Sequence, residues 1–90
     1  MDWKKLGYVV ASKYRIRIVL SLAEKPKTPK EIAQELGLYI SHVSSTLSDL
    51  SGEGIVKCLN PSQRRGKMFS LTDIGKELGK ELKNRTRYLN

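Results

Sequence analysis

Ninety residues hold one domain, residues 1–90, with one modest core, and 39% hydrophobic against 29% charged residues with few Gly and Pro excludes a disordered chain. Seventeen Lys and Arg against nine Asp and Glu give a formal charge of +8 and a pI near 9.8, which puts nucleic acid first among partners. The lone Cys58 offers neither an internal disulfide nor a metal-binding pair, and no apolar run approaches the roughly 20 residues that span a bilayer; no signal-peptide pattern opens the chain, so a cytoplasmic, non-membrane protein is expected.

Residues 1–11 carry Trp3, Leu6, Val9 and Val10 at helical spacing, while Gly7-Tyr8-Val9-Val10 also suits an extended segment; of the two, a short helix is the expectation. Ser12 is an acceptable N-cap for a first full helix running to about Glu24. Ile16, Val19, Leu20 and Ala23 make one apolar stripe, with Ile18 and Leu22 beside it. Lys25-Pro26-Lys27 ends that helix, because the residue before a proline is driven out of the α region, and a short loop with one or two extended residues follows.

The most informative stretch is Thr28 to Ile55. Thr28-Pro29-Lys30-Glu31 reads as a capping box with Pro at the position whose missing N–H costs nothing. The helix it opens buries Ile32, Ala33 and Leu36 and stops at Gly37, which can take the left-handed conformation. Only Leu38 and Tyr39 separate it from a further helix, Ile40 to Gly52. There Ile40, Val43, Leu47 and Leu50 form the inward stripe, and Ser41, His42, Ser45, Ser48 and Asp49 face outward. Two short helices joined by a Gly-containing turn are the helix-turn-helix pattern, whose second helix enters the DNA major groove.

Gly52-Glu53-Gly54 breaks that helix, and Ile55 to Leu59 is β-branched and apolar enough for a strand. Asn60 to Gly66 is turn material, and Lys67 to Leu71 supplies a second strand with Phe69 and Leu71 on one face. The result is a hairpin with a basic tip. Thr72 caps a final helix from about Asp73 to Tyr88, with Ile74, Leu78 and Leu82 repeating every four residues. Along it Lys76, Lys80 and Lys83 alternate with Glu77 and Glu81, whereas Arg85 and Arg87 have no acid nearby.

The fold class is therefore mainly α with a small β-hairpin, in the order helix-helix-helix-strand-strand-helix of a winged helix-turn-helix. Several local motifs agree: Ser12-Lys13-Tyr14-Arg15, Glu31-Ile32-Ala33 with Leu36-Gly37-Leu38, His42-Val43-Ser44 with Leu47 and Leu50, Gly54-Ile55-Val56, and Arg65-Gly66-Lys67 before Leu71-Thr72 and Gly75. In this order and spacing they resemble archaeal winged-helix transcriptional regulators of the broad ArsR and MarR type. The resemblance implies that the helix from Ile40 reads the major groove, that the loop around Arg64 and Arg65 lies along the backbone or minor groove, and that a dimer binds two half-sites. It also implies Arg or Lys at positions matching Ser45, Thr46 and Ser48, where this chain departs from the pattern. From Glu31 through Gly54 there is no Lys or Arg and there are four acids, so the helix-turn-helix is formally −4. The commonest specific contact, a bidentate Arg or Lys on guanine, is not on offer from this helix.

Candidate contacts to double-stranded DNA are Thr28, Lys30, Tyr39, Ser41, His42, Ser45 and Ser48, with Arg64, Arg65 and Lys67 on phosphate. Homodimerisation is expected through two terminal apolar sets, Trp3, Leu6 and Val10, and Ile74, Leu78, Leu82 and Leu89. No cofactor, metal site or catalytic constellation is expected: one His, one Cys and no Gly-rich phosphate loop leave catalysis nothing to act on. The competing reading is a winged-helix interaction module whose acidic helix docks on a protein.

Overall fold

The computed structural model describes the backbone of residues 1–89 and the side chains of residues 1–85. Five helices and one two-stranded antiparallel sheet follow in the order α1 (Trp3–Val10), α2 (Lys13–Leu22), α3 (Pro29–Leu36), α4 (Ile40–Gly52), β1 (Val56–Cys58), β2 (Phe69–Leu71) and α5 (Asp73–Leu89).

The helix starts obey local chemistry. Asp2 accepts from the Lys5 amide and Ser12 from the Arg15 amide, capping α1 and α2. The capping box of α3 is complete: Glu31 N donates to Thr28 Oγ1 at 3.1 Å, and Thr28 N donates to Glu31 Oε1 at 2.9 Å. That amide bond, followed by the Thr28 hydroxyl, holds the Glu31 carboxyl below the ordinary carboxylate range. Gly37 closes α3 at φ 68°, a conformation only glycine takes readily, and so turns the chain into α4.

Three helix ends are closed by cations from the N-terminal third. Arg15 donates to Tyr8 O near the end of α1 at 2.7 Å, and its guanidinium lies 3.8 Å from the Tyr8 ring centroid. Arg17 donates to Leu36 O at the end of α3 at 2.7 Å, and Lys5 Nζ donates to Glu53 O just past α4. Orphan carbonyls and the negative end of the helix dipole both favour a cation there.

The core is built by all five helices and the start of the hairpin around Val9, Ile18, Val19, Ile32, Val43, Leu47, Leu50, Ile55 and Leu78, all fully buried. The expected α2 stripe is displaced by about one residue: Ile18, Val19 and Leu22 are buried, and Ile16, Leu20 and Ala23 pack at its margin. Ile40 is not part of the core. At the first residue of α4 it has no preceding turn to lie over and is 52% exposed.

The hairpin pairs Val56 with Leu71, Lys57 with Ser70 and Cys58 with Phe69; the first strand is one residue shorter at each end than expected and the second starts two residues later. A third piece of chain joins it. Lys27 N donates to Phe69 O at 3.0 Å and Phe69 N to Lys27 O at 2.9 Å, so the loop between α2 and α3 is bridged to the root of the wing. The Lys27 side chain is buried, with Nζ 2.6 Å from Glu35 Oε1, 3.3 Å from Glu24 Oε2, 2.8 Å from Ser21 O and 3.0 Å from Ser21 Oγ. Burial opposes its charge, yet the hydrogen bonds to Glu35 and Glu24 prevail and raise its pKa above the ordinary lysine value. The bond from Lys27 lowers that of Glu35, helped by the Ser21 hydroxyl.

Helix α5 is seated through Thr72, whose hydroxyl donates to Gly54 O at 2.6 Å and accepts from Gly75 N at 3.1 Å. Leu78 and Leu82 are buried within the protomer by α5 packing on α2, and Leu6 by α1 packing on α2. This corrects three of the residues expected at a dimer interface: sequence spacing cannot distinguish a stripe covered by its own chain from one covered by another. Leu89 lies outside the described side chains.

Two glycines of α5 give opposite expectations. A Cβ on Gly75 would sit 2.2 Å from Ile55 O, a carbonyl pinned by Thr72 N at 3.0 Å, whereas a Cβ on Gly79 meets its nearest neighbour, Ala23 Cβ, at an ordinary 3.5 Å. Gly75→Ala should therefore cost at least about 2 kcal/mol. Gly79→Ala should be neutral or stabilise by up to about 1 kcal/mol through helix propensity. Urea unfolding of both variants measures the pair, and equal effects would refute the close approach at Gly75.

The ion cluster gives a pH signature. The lowered Glu35 pKa contributes stability that is present above about pH 4.3 and is lost as pH falls through the folded value. The raised Lys27 pKa contributes stability present below about pH 10.4 and lost as pH rises through its folded value. Because the Glu35 side chain stays 39% exposed, solvent screens the pair, and Glu35→Gln should cost only about 1–2 kcal/mol at pH 7. That difference from wild type should shrink towards pH 3 and above pH 10 in denaturant titrations; a pH-independent difference would rule the charge pair out.

Candidate nucleic-acid interface

Along α4, Val43, Thr46, Leu47 and Leu50 face inward and Ser41, Ser44, Ser45, Ser48 and Asp49 face out. Thr46 is thus no base contact; its hydroxyl donates to His42 O at 2.9 Å inside the helix. Ser44 is the addition that sequence reading missed, although it stands three residues from Ser41 on the same side of the helix. The outward face is then a row of four serines, short enough to let a groove edge approach closely.

His42 sits on one flank of this row. Its ring centroid lies 4.3 Å from that of Tyr14 at a 56° tilt, and Lys13 Nζ lies 5.4 Å from the Tyr14 ring centroid. The start of α2 therefore contributes Lys13 and Tyr14 to the margin of the interface. Neither could be assigned there from sequence, since the contact joins residues 28 positions apart in the chain.

On the other flank lies an open cleft of about 550 Å³ between α4 and the wing, lined by Thr28, Pro29, Lys30, Ile40, Ser44, Arg64, Gly66, Lys67 and Phe69. It brings together four of the expected contacts, Thr28 and Lys30 at the start of α3 and Arg64 and Lys67 on the wing. Tyr39, Ser41, His42, Ser45, Ser48 and Arg65 are exposed outside it. The Thr28 hydroxyl also accepts from Glu31 N as the α3 cap.

The wing tip is shaped by Asn60. Its Nδ2 donates to Gln63 Oε1 at 2.9 Å and to Gly66 O at 3.1 Å, and its Oδ1 accepts from Met68 N at 2.8 Å. One side chain thus closes the loop that carries Arg64 and Arg65. An Asn-Pro pair opening a turn was the available sequence signal.

The electrostatics differ from a count of charges. Of the four acids in the helix-turn-helix, Glu31 is tied to the α3 cap and Glu35 to Lys27. Of the eight cations from Lys4 to Lys30, Lys5, Arg15, Arg17 and Lys27 are tied to the protein itself. On α5 Arg85 Nε pairs with Glu81 Oε1 at 3.1 Å, correcting the expectation that Arg85 lacks an acid; the Arg87 side chain lies outside the described residues. Among the described residues no group of His, Cys, Asp and Glu could hold a metal ion, and no helix is long and apolar enough to cross a membrane.

The fold and this surface define the class, a winged helix-turn-helix. Wild-type ZitR of Lactococcus lactis in complex with DNA is similar, with 24% identity and a TM-score of 0.76 over 83% of this chain and 52% of that one. The MarR family regulator NMB1585 of Neisseria meningitidis shows 26% identity and a TM-score of 0.79 over 96% of this chain and 62% of that one. The adhesin competence repressor AdcR of Streptococcus pyogenes shows 16% identity and a TM-score of 0.79, with coverage of 87% and 59%. The chain thus spans 52% to 62% of the length of these three proteins. No curated protein sequence matches it. Residues 12–57 match the model of the bacterial regulatory protein family named for arsR, and the chain belongs to that family. Its helix-turn-helix is a DNA-binding domain of the transcription-regulator class.

Proposed function

We propose that the chain regulates transcription by placing the serine face of α4 in the major groove while the wing and the start of α3 hold the adjoining phosphates. The observation that carries this assignment of surfaces is the cleft beside α4, where Lys30, Arg64 and Lys67 stand on two different elements around one groove. Phosphate contacts set position and most of the affinity, and short neutral side chains on the helix read base edges directly or through water. The archaeal affinity implied by the motifs belongs to this proposal, as does action in the cytoplasm. The interaction-module reading is weakened by the pairing of Glu35 with Lys27, which leaves Glu31, Asp49 and Glu53 of the four acids to support it.

Wing and helix should separate in mutants. Changing Arg64 and Arg65 to Ala should weaken specific and random duplex alike and reduce the slope of log affinity against log salt by roughly one unit per lost phosphate contact per protomer. Ser45→Ala or Ser48→Ala should leave that slope nearly fixed and lower the preference for selected over random duplex by about 1 kcal/mol. Fluorescence titrations at several salt concentrations check both. A wing variant with full affinity and an unchanged slope would remove the phosphate role.

The chain is further proposed to act as a homodimer, since one recognition helix spans only a few base pairs and two half-sites spaced by about 34 Å gain specificity together. The apolar surface that supports this is smaller than the sequence suggested: Trp3 is 64% exposed, Val10 41% and Ile74 38%, with Leu6, Leu78 and Leu82 taken up by the protomer. Sedimentation equilibrium at tens of micromolar should give a dimer mass for wild type and a monomer for Trp3→Glu, whose exposed position spares the fold. A wild-type monomer would overturn the proposal.

A further inference from the structure

We infer that the first turn of α4 reads thymine: Tyr39 and Ile40 form an apolar contact for the C5-methyl groups of thymines in the major groove. The inference rests on the DNA-binding reading above and adds to it the base that the helix selects.

Three observations converge on this turn. Tyr39 and Ile40 are consecutive large side chains, 84% and 52% exposed, at the entrance to the recognition helix, although every other large apolar side chain of α4 is buried. Tyr39 is also the N-cap of α4 and makes no side-chain cap hydrogen bond, where Ser, Thr, Asp or Asn would stabilise the helix start. The other three long helices with assigned caps and described starts, α1, α2 and α3, all have a side-chain cap, so the departure is specific to α4. Finally, Ile40 shares its cleft with Lys30, Arg64 and Lys67, so a strand held by those cations passes directly beside it.

The chemistry of the groove then selects the ligand. Residues at the N-terminal end of a recognition helix are those that reach base edges. Guanine is best read by Arg or Lys and adenine by Asn or Gln, and α4 has none of these four residue types. Among the groups that bases display in the major groove, the apolar one is the thymine methyl, and contact with it removes apolar surface of both partners from water. An isoleucine methyl group and a tyrosine ring suit that role, and Ser44 beside Ile40 leaves room for a base edge to come near. A tighter contact of Ile40 with sugar alone would use the same cleft but would not distinguish thymine from uracil.

That distinction provides the test. A duplex is selected with the full chain from a random DNA pool and resynthesised with deoxyuridine in place of thymine, which deletes the methyl groups and keeps every hydrogen-bonding group. Wild type should bind the uracil duplex more weakly by at least roughly fourfold, the value expected for one lost methyl contact. Ile40→Ala and Tyr39→Ala should each reduce that difference, the double variant should bind the two duplexes with nearly equal affinity, and Ile40→Val should keep more of the difference than Ile40→Ala. Any change in duplex stiffness acts on all variants alike, so the comparison between proteins isolates the side-chain contact. Equal binding of both duplexes by wild type, or an undiminished thymine preference in Ile40→Ala and Tyr39→Ala, would overturn the inference while leaving DNA binding intact. Failure to enrich any sequence, together with salt-insensitive binding to random duplex, would overturn the DNA-binding reading itself.

Discussion

The relation between wing and recognition helix depends on Lys27. Its main chain makes a reciprocal pair of hydrogen bonds with Phe69, and its side chain binds Ser21 and Glu24 at the end of α2 and Glu35 on α3. One residue therefore joins α2, α3 and β2. A buried ammonium without partners would be very unfavourable, so the three elements must meet with Ser21, Glu24 and Glu35 in place before Lys27 can be enclosed. An apolar residue of the same size would satisfy the burial and leave the relative positions less restricted. What the cluster adds is definition of the geometry that sets the distance between Arg64 and α4.

The same logic redistributes the protein's charge. A net charge of +8 suggests a surface uniformly attractive to DNA, but three cations of the first third, Lys5, Arg15 and Arg17, close the carbonyl ends of α1, α3 and the turn after α4. These contacts neutralise helix dipoles and connect elements distant in sequence, as Lys5 connects α1 to Glu53. Lys30, Arg64 and Lys67 gather positive charge in the cleft on one side of the recognition helix, and Lys13 stands on its other flank. Of the acids that made the helix-turn-helix look acidic, Glu35 is offset by Lys27 and counts for less, whereas Glu31 is hydrogen-bonded to the neutral Thr28 and keeps its charge.

Features determined within a few residues were legible in the sequence. The capping box at Thr28, the turn at Gly37, the start of α5 at Thr72 and the short helix near Trp3 all follow from local hydrogen bonding or backbone freedom, and the structure contains each. Features set by tertiary contact were not legible. Lys27 looks like a loop cation until β2 lies over it. Leu6, Leu78 and Leu82 have the spacing of an interface stripe, and only the packing of α1 and α5 on α2 assigns them to the core. Ile40 failed for a geometric reason: it has the correct phase for the inward stripe but stands at the helix end, beyond the reach of the core. At the site, the wing cations and three of the four outward serines were visible from pattern, whereas Ser44, the contact of His42 with Tyr14 and those of Asn60 across the wing required the folded chain.

The division of charge between the wing and α4 has a consequence for how such a domain discriminates. When a recognition helix carries Arg or Lys, the same side chain adds phosphate attraction and base preference, so affinity and specificity change together. Here the cations stand beside α4, and the helix presents hydroxyls, a tyrosine and an isoleucine. Salt acts strongly on the first group and weakly on the second, because counterion release follows phosphate neutralisation and not neutral contacts. Non-specific affinity can then fall with ionic strength while the free-energy difference between sequences stays nearly constant. In the proposed role, a helix with no cation of its own avoids the tight non-specific binding that would hold it on the large excess of random sites, and discrimination falls to contacts that random DNA cannot reproduce.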